Sequence, residues 1–391
     1  MILDYSKEDL VKLGGIHTAA EIQQQPAVWE KVYRLIAEKK FEIERFLQQL
    51  NKTYPFVRVI LTGAGTSAYV GETILPYLQC YRRFEHFYFE SIPTTDLVSS
   101  PYFYFQEEIP TLLVSFARSG NSPESVAASQ LGEQIVKHFY QIIITCNKDG
   151  HLAKNAAQNE NSLLLLMPEE TNDKGFAMTS SFTAMLLAVI LALQTENLDN
   201  IRSWLSEIVN QGKKFLQDHL EKINEIADWD FGRIVYLGSG PLKGLARESA
   251  LKMLELTGGK TVTAYESSLG FRHGPKSIID DKTVVVMYIS GDSYTRKYDI
   301  DMMKEIYTGR TNSKVVALTQ NPDDEIQRHC HYLIDSSTKD WPDIRLAFLY
   351  IIFAQTLALK KSIKLGIAPD NPSPVGIVNR VVKGVTIYPY K

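Results

Sequence analysis

Glu248, Lys252 and Glu255 follow one another at spacings of four and three residues, and His273-Gly274-Pro275 comes shortly after. At about 100° per residue, the three charged side chains fall within about 60° of one another on a helix. They border an apolar stripe of Leu242, Leu245, Met253 and Leu256, with Ser249 inside it. Charges at the edge of a buried stripe face a cleft or an interface, where proton affinities can be tuned. A carboxylate base, a cation and a histidine are the parts needed to move protons on a small substrate. The plainer reading stands beside this one. A Glu–Lys pair four residues apart supports a surface helix by a few tenths of a kcal/mol, and a histidine before Gly-Pro can simply fix a turn. The rest of the chain has to decide between them.

Composition sets the class. The chain has 391 residues, enough for two or three domains, with 45% hydrophobic and 22% charged residues, as in an ordinary globular protein. A net charge of −3 gives no support for nucleic-acid binding. Cys80, Cys146 and Cys330 are far apart, and the adjacent His329, Cys330 and His331 alternate in direction. Neither a disulfide framework nor a metal site is expected. The first eight residues lack the basic-then-apolar form of a signal peptide. Of the two most apolar stretches, Ala177–Leu193 is broken by Thr179, Ser180, Ser181 and Thr183, and Leu346–Leu359 is too short to span a bilayer. Both read as buried helices, no membrane partner is expected, and a reducing cytoplasm is the expected setting.

The elements that must position the charged cluster come in two copies. Val59–Gly65 is a short apolar run ending in a glycine turn, and Ile234–Gly240 repeats it 175 residues later. Thr111–Ser115 leads to Ser119-Gly120-Asn121-Ser122, as Thr283–Ile289 leads to Ser290-Gly291-Asp292-Ser293. Ile142–Asn147 matches Val316–Asn321, and Leu163–Met167 matches Tyr332–Asp335. Each copy closes on an apolar helix, Phe182–Leu193 or Ile344–Leu359. Apolar strands alternating with helices imply parallel sheets buried on both faces. The expected fold is therefore α/β, with two tandem doubly wound domains of flavodoxin-like, three-layer form. The expected division is a helical segment at 1–50, a first domain at 51–215, and a second domain with a carboxyl-terminal tail at 216–391. In the helical segment, Thr18-Ala19-Ala20-Glu21 has capping-box form, and a second helix is expected to start at Pro26. Leu198–Ala227 reads as a connecting helix, and the tail as β-like near Val381–Tyr388.

Ligands of such sheets bind beyond the carboxyl ends of the strands. Two loops of the first copy lie there. Gly65, Thr66 and Ser67 offer backbone N–H groups and hydroxyls at a helix start, as do Ser119, Gly120, Asn121 and Ser122 ahead of Pro123. Such helix starts suit a phosphate, and Arg118 adds a charge-assisted donor. A single glycine turn more often serves chain geometry alone. No Walker A lysine and no GxGxxG is present, which argues against a nucleoside triphosphate or a dinucleotide. In the second copy Asp292 would repel a phosphate, so the first copy is the expected phosphate holder.

These residues together resemble the SIS (sugar isomerase) family. The segment Ala246–Glu255, followed by Ala264-Tyr265 and His273-Gly274-Pro275, is similar to the isomerase half of glucosamine-6-phosphate synthase, and Val382–Thr386 resembles the lysine-bearing tail of that enzyme. His17–Ile22, Gln24-Gln25-Pro26 and Leu269–Ser277 look like the AgaS-type branch, known as tagatose-6-phosphate ketose/aldose isomerases and as galactosamine-6-phosphate deaminases. Two positions depart from the synthase: Gly270 stands where it has a glutamate, and Ala117 where it has a phosphate-binding serine. The glutamine-hydrolysing part of the synthase is missing from this sequence.

The resemblance implies that His273 opens the sugar ring and Glu255 shuttles a proton between C1 and C2. Lys252 would stabilise the developing charge, Glu248 would hold Lys252, and Lys383 would close over the sugar. The substrate would be a hexose or hexosamine 6-phosphate. Galactosamine-6-phosphate would give tagatose-6-phosphate and ammonia by hydrolysis of an imine, with no metal or cofactor. The histidine of related enzymes comes from a neighbouring subunit, which implies a homodimer with shared active sites. Simple isomerisation of tagatose-6-phosphate, or a non-catalytic sugar-phosphate sensor, are the alternatives.

Overall fold

A computed structural model describes residues 1–194, 198–382 and 384–391, apart from the side chain at 199. Its packing divides the chain into two compact units. One, built around the first repeat, comprises 27–173, 180–206 and 375–391; the other, built around the second, comprises 1–26, 174–179 and 207–374. The expected division at residues 50 and 215 follows covalent order; packing does not. The 1–50 segment is shared between the units, and residues 375–391 pack with the first repeat rather than the second. Hydrogen bonds between residues hundreds of positions apart cause this, and local sequence patterns do not encode them.

In the first-repeat unit, β1 (Val57–Thr62), β2 (Phe87–Ser91), β3 (Thr111–Ala117), β4 (Phe139–Thr145) and β5 (Ser162–Leu166) form a parallel sheet in the order 2-1-3-4-5. In the second, β6 (Arg233–Gly238), β7 (Val262–Glu266), β8 (Thr283–Tyr288), β9 (Lys314–Thr319) and β10 (Tyr332–Asp335) repeat that order as 7-6-8-9-10. Every residue of β3 and β8 is buried, which is why both read as unbroken apolar runs. The edge strands β2 and β7 were not legible as strands. β2 alternates buried and exposed residues, and no residue of β7 is buried.

The helices in chain order are α1 (Lys7–Lys12), α2 (Ile16–Glu38), α3 (Lys40–Thr53), α4 (Thr66–Cys80), α5 (Thr94–Ser99), α6 (Pro101–Tyr104), α7 (Pro123–Ile135), α8 (His151–Ala156), α9 (Ser180–Leu193), α10 (Leu198–Asp228), α11 (Pro241–Leu256), α12 (Ser268–Phe271), α13 (Thr295–Tyr307), α14 (Asp324–Arg328) and α15 (Asp343–Lys364). α4 packs on α9 in one unit, and α11 packs on α15 in the other. All of α9 is buried, as is nearly all of α15. α15 is long and apolar enough to cross a membrane, yet 94% of its most apolar stretch is covered by the fold, so it is a core helix.

Three local expectations need correction. Pro26 lies inside α2 instead of opening a new helix. The Thr18–Glu21 sequence does not cap itself: Asp370 accepts the His17 and Thr18 amides at 3.0 and 2.8 Å and the Thr18 hydroxyl at 2.6 Å. Glu21 instead accepts the amides of Lys174 and Gly175. None of the described residues between 381 and 388 forms a strand. The tail there is held by single contacts, such as Gln134 Nε2 donating to the Tyr390 carbonyl at 3.0 Å.

Candidate active site

The strand order 2-1-3-4-5 reverses direction between β1 and β3, so the loops leaving these two strands flank the switch point where α/β sheets bind ligands. Both expected phosphate loops are there. β1 ends in the turn that carries Gly63 and Gly65. A Cβ on Gly63 would lie 2.5 Å from Ser67, and Gly65 holds φ 56°, ψ −128°, a conformation essentially restricted to glycine. The turn aims the start of α4, with buried Thr66 and Ser67, across the sheet end, and no side chain caps that helix. β3 leads to the second loop. Gly120 sits at φ +63°, and Ser122 caps α7 with its backbone only.

The chain braces this second loop from behind. Asn147 Nδ2 donates to the Ser119 carbonyl at 2.8 Å, and the Leu152 amide to the Gly120 carbonyl at 3.1 Å. Asn121 Oδ1 accepts the His151 amide at 3.0 Å, which makes Asn121 a brace. Arg118 is buried, and one of its guanidinium nitrogens donates to the Arg380 carbonyl at 2.6 Å; the Arg380 guanidinium in turn donates to the Asp173 carbonyl. Arg118 therefore ties the tail to the loop, a contact that sequence reading did not foresee. Lys383, three residues farther on, lies outside the described residues.

In the second-repeat unit, α11 brings Glu248, Lys252 and Glu255 together as expected, but deeper than expected. Glu248 and Lys252 are wholly buried, whereas the Glu255 side chain keeps 24% of its exposure. Lys252 Nζ lies 2.5 Å from Glu255 Oε2 and 3.5 Å from Glu248 Oε1. A surface ion-pair ladder would not bury its cation. The arrangement is a sequestered ammonium between two carboxylates, of which only Glu255 can meet a ligand.

His273 is exposed, in the turn between α12 and a 3₁₀ turn at Pro275–Ile278. Gly274 beside it has φ +119°. Its segment is tied down on both flanks. Arg272 pairs with Glu305 and Asp301 of α13, each at 2.7 Å, and Lys276 pairs with Glu305. Those two cations hold the Glu305 carboxyl below its ordinary range. A Cβ on Gly270 would lie 2.7 Å from Ser267 Oγ and 3.0 Å from the Glu266 carboxyl carbon. A side chain at position 270 would therefore run into Ser267 and Glu266. Burial raises the Glu266 carboxyl, but Lys243 at 2.7 Å and the Ser267 amide outweigh it and set it below normal.

The equivalent loops of the second repeat are closed on the chain's own carboxylates. Asp299 Oδ1 accepts the Ser239 and Ser268 hydroxyls at 2.7 and 2.5 Å, and its Oδ2 accepts the Ser290 amide at 3.0 Å. Asp343 accepts the Ser290 hydroxyl and the Gly291 amide, both at 2.7 Å. Burial raises the proton affinity of both acids. Asp292, the expected repeller of phosphate, instead accepts the Tyr294 and Thr295 amides. The signal for Asp299 was present: it lies in phase with Met302, Met303 and Ile306 on the apolar face of α13, where an acid has to be satisfied from inside. Among the described residues, no group of His, Cys, Asp and Glu has metal-ligand geometry. The Cys146 thiol is pushed up to about 12 by burial, which leaves it inert at neutral pH.

Comparison with known proteins agrees with this layout. The SIS domain profile matches residues 56–194 and 225–364. D-galactosamine-6-phosphate deaminase AgaS of Escherichia coli is 42% identical over 96% of this chain and 97% of that protein. The crystal structure of tagatose-6-phosphate ketose/aldose isomerase from Escherichia coli matches with a TM-score of 0.87 at 39% identity, over 96% of this chain and 97% of that one. A Clostridium novyi NT structure, provisionally given the same isomerase name, matches with a TM-score of 0.96 at 46% identity, covering 100% of this chain and 99% of its own. The chain belongs to the SIS domain family, as two tandem repeats, and within that family to the AgaS group.

Proposed function

We propose that the protein is a cytoplasmic deaminating isomerase that converts galactosamine-6-phosphate and water to tagatose-6-phosphate and ammonia. The observation that carries this reading is the buried Lys252 ammonium against the partly exposed Glu255 carboxylate. The first repeat holds the phosphate, through the α4 and α7 starts with Thr66, Ser67, Ser119 and Ser122. The second supplies proton transfer.

His273 promotes ring opening by exchanging a proton between the ring oxygen and the anomeric hydroxyl. Glu255 then removes the C2 proton, acidic because C1 is now a carbonyl. The electron pair moves into a C1–C2 double bond and charge develops on O1, where Lys252 stabilises it. Return of the proton from Glu255 to C1, with a proton passing from the amine nitrogen to O1, leaves an imine at C2 and a hydroxyl on C1. Water adds to that carbon and ammonia departs, giving the ketose. Glu248 keeps Lys252 charged and in place, and Lys383 closes over the sugar from the tail. Because His273 is exposed on its own chain, it is free to serve a partner's site, and the reading includes a homodimer with shared active sites.

The names of the solved relatives favour a second reading: simple interconversion of tagatose-6-phosphate with its aldose, on the same residues, without imine hydrolysis. Ammonia release from galactosamine-6-phosphate and from glucosamine-6-phosphate, measured beside isomerisation of tagatose-6-phosphate, separates the two. Stoichiometric ammonia from galactosamine-6-phosphate is expected. Isomerisation with no ammonia from either amino sugar would replace the deaminase reading with the simpler one.

A further inference from the structure

We infer that Asp299 is a positioning residue for the reaction, the joint that fixes both the start of the Glu255 helix and the start of the His273 segment. The inference rests on the roles proposed above for Glu255 and His273.

Asp299 is a carboxylate with no hydrogen bond to Glu248, Lys252, Glu255 or His273. Asp299 is wholly buried in α13. Its three bonds go to three different pieces of chain. Ser239 is the residue before Gly240, the cap of α11, which carries Glu248, Lys252 and Glu255. Ser268 is the first residue of α12, five residues before His273. The Ser290 amide is at the end of β8. One carboxylate thus holds the starts of two functional segments and the end of β8 together. α13 completes the hold on the far side of His273 through Asp301 and Glu305.

The first repeat shows what the joint replaces. With β3 aligned to β8 and α7 to α13, the position of Asp299 is taken by Ala127, a buried residue with no polar side chain. Ala127 therefore offers the loops of that repeat no carboxylate. The second repeat has Ser239 between its turn glycines where the first has Ala64, and that hydroxyl and the Ser290 amide are both spent on Asp299. A loop of binding type has become a loop of positioning type. Three hydrogen bonds converge on one buried side chain, so the joint is stiff.

The test compares Ser268→Ala, Asp299→Asn and Asp299→Ala with Glu255→Gln, by kcat and KM on galactosamine-6-phosphate and by thermal unfolding. Asparagine keeps an oxygen for the two serine hydroxyls but sets an NH2 group against the Ser290 amide, so it is a partial rescue. kcat should fall about threefold in Ser268→Ala, about tenfold in Asp299→Asn and further in Asp299→Ala, with KM within about twofold of wild type. A merely structural role would lower Tm without this ordered kcat-only loss. Folded Ser268→Ala and Asp299→Asn with wild-type kcat, or with the loss in KM instead, would overturn the inference. If Asp299→Ala does not fold, those two variants still decide it. An active Glu255→Gln would overturn the underlying reading instead, so the two failures are distinguishable.

Discussion

The turns before α4 and α11 have the same backbone and opposite chemistry. Gly65 sits at φ 56°, ψ −128° and Gly240 at φ 54°, ψ −128°, and a side chain on Gly63 or Gly238 would run into the helix that follows. Beyond the turn the copies part. α4 opens with Thr66, whereas α11 opens with Pro241, which has no N–H to give an anion. The second repeat then spends its serines on Asp299 and Asp343 and loads its helix with Glu248, Lys252 and Glu255. Duplication preserved a strained turn that aims a helix start at a sheet end. Side chains then set the two helix starts apart: in the proposed function one binds phosphate, and the other is locked.

That contrast can be attacked at several points. The largest effect is expected at Lys252. Lys252→Met leaves Glu248 buried without its cation, which should cost about 3 kcal/mol of stability and reduce kcat about a thousandfold or more. Chemical denaturation and steady-state kinetics measure both, and a stable, active variant would return the cluster to an ordinary ion pair. Next come the twin glycines. Alanine at either site is forced into a glycine-only conformation at about 1–3 kcal/mol. Gly65→Ala should act mainly on KM and Gly240→Ala mainly on kcat; the same parameter moving in both would erase the proposed division of labour. A smaller effect is expected at Ser122. Ser122→Ala should raise KM about tenfold, the worth of one hydrogen bond to a charged group, with kcat nearly unchanged.

The smallest effect on activity is expected at Lys360, another buried lysine of the second-repeat unit, which has no ion pair with a carboxylate among the described residues. Its ammonium donates to the Leu3 carbonyl at 2.6 Å and lies 4.0 Å over the Tyr5 ring, and burial lowers its pKa to about 8. Between pH 8 and the ordinary lysine value near 10.5, the folded state binds fewer protons than the unfolded one. Stability from this group therefore rises with pH across that window, by up to about 3 kcal/mol, and is lost as pH falls through 8. Unfolding of wild type against Lys360→Met across pH 7–10.5 measures it. A constant difference would mean that Lys360 is not desolvated. Activity should be unchanged, in contrast to Lys252→Met.

Much of this was legible in the sequence, for physical reasons. Central strands buried on both faces, such as Thr111–Ala117, leave unbroken apolar runs, and the repeat offset exposed the duplication. Glu248, Lys252 and Glu255 are one and two turns apart on a single helix, so spacing alone gathered them. What stayed hidden depends on partners remote in sequence. Asp370 caps α2 from more than 350 residues away, and Arg118 holds the tail through a backbone carbonyl that carries no residue signature. The edge strands β2 and β7 carried no unbroken buried run to read. Asp292 drew attention as a charge beside a glycine, while Asp299, which closes the loop, was concealed in an apolar helix face.

The proposed function assigns the proton shuttle to Glu255 in the second repeat and phosphate binding to the loops of the first. Calorimetric titration of Glu255→Gln with galactosamine-6-phosphate, paired with turnover of the same preparation, tests it most directly. Binding within a few-fold of the wild-type KM, with turnover reduced about a thousandfold or more, is the predicted result. Turnover within tenfold of wild type would contradict it.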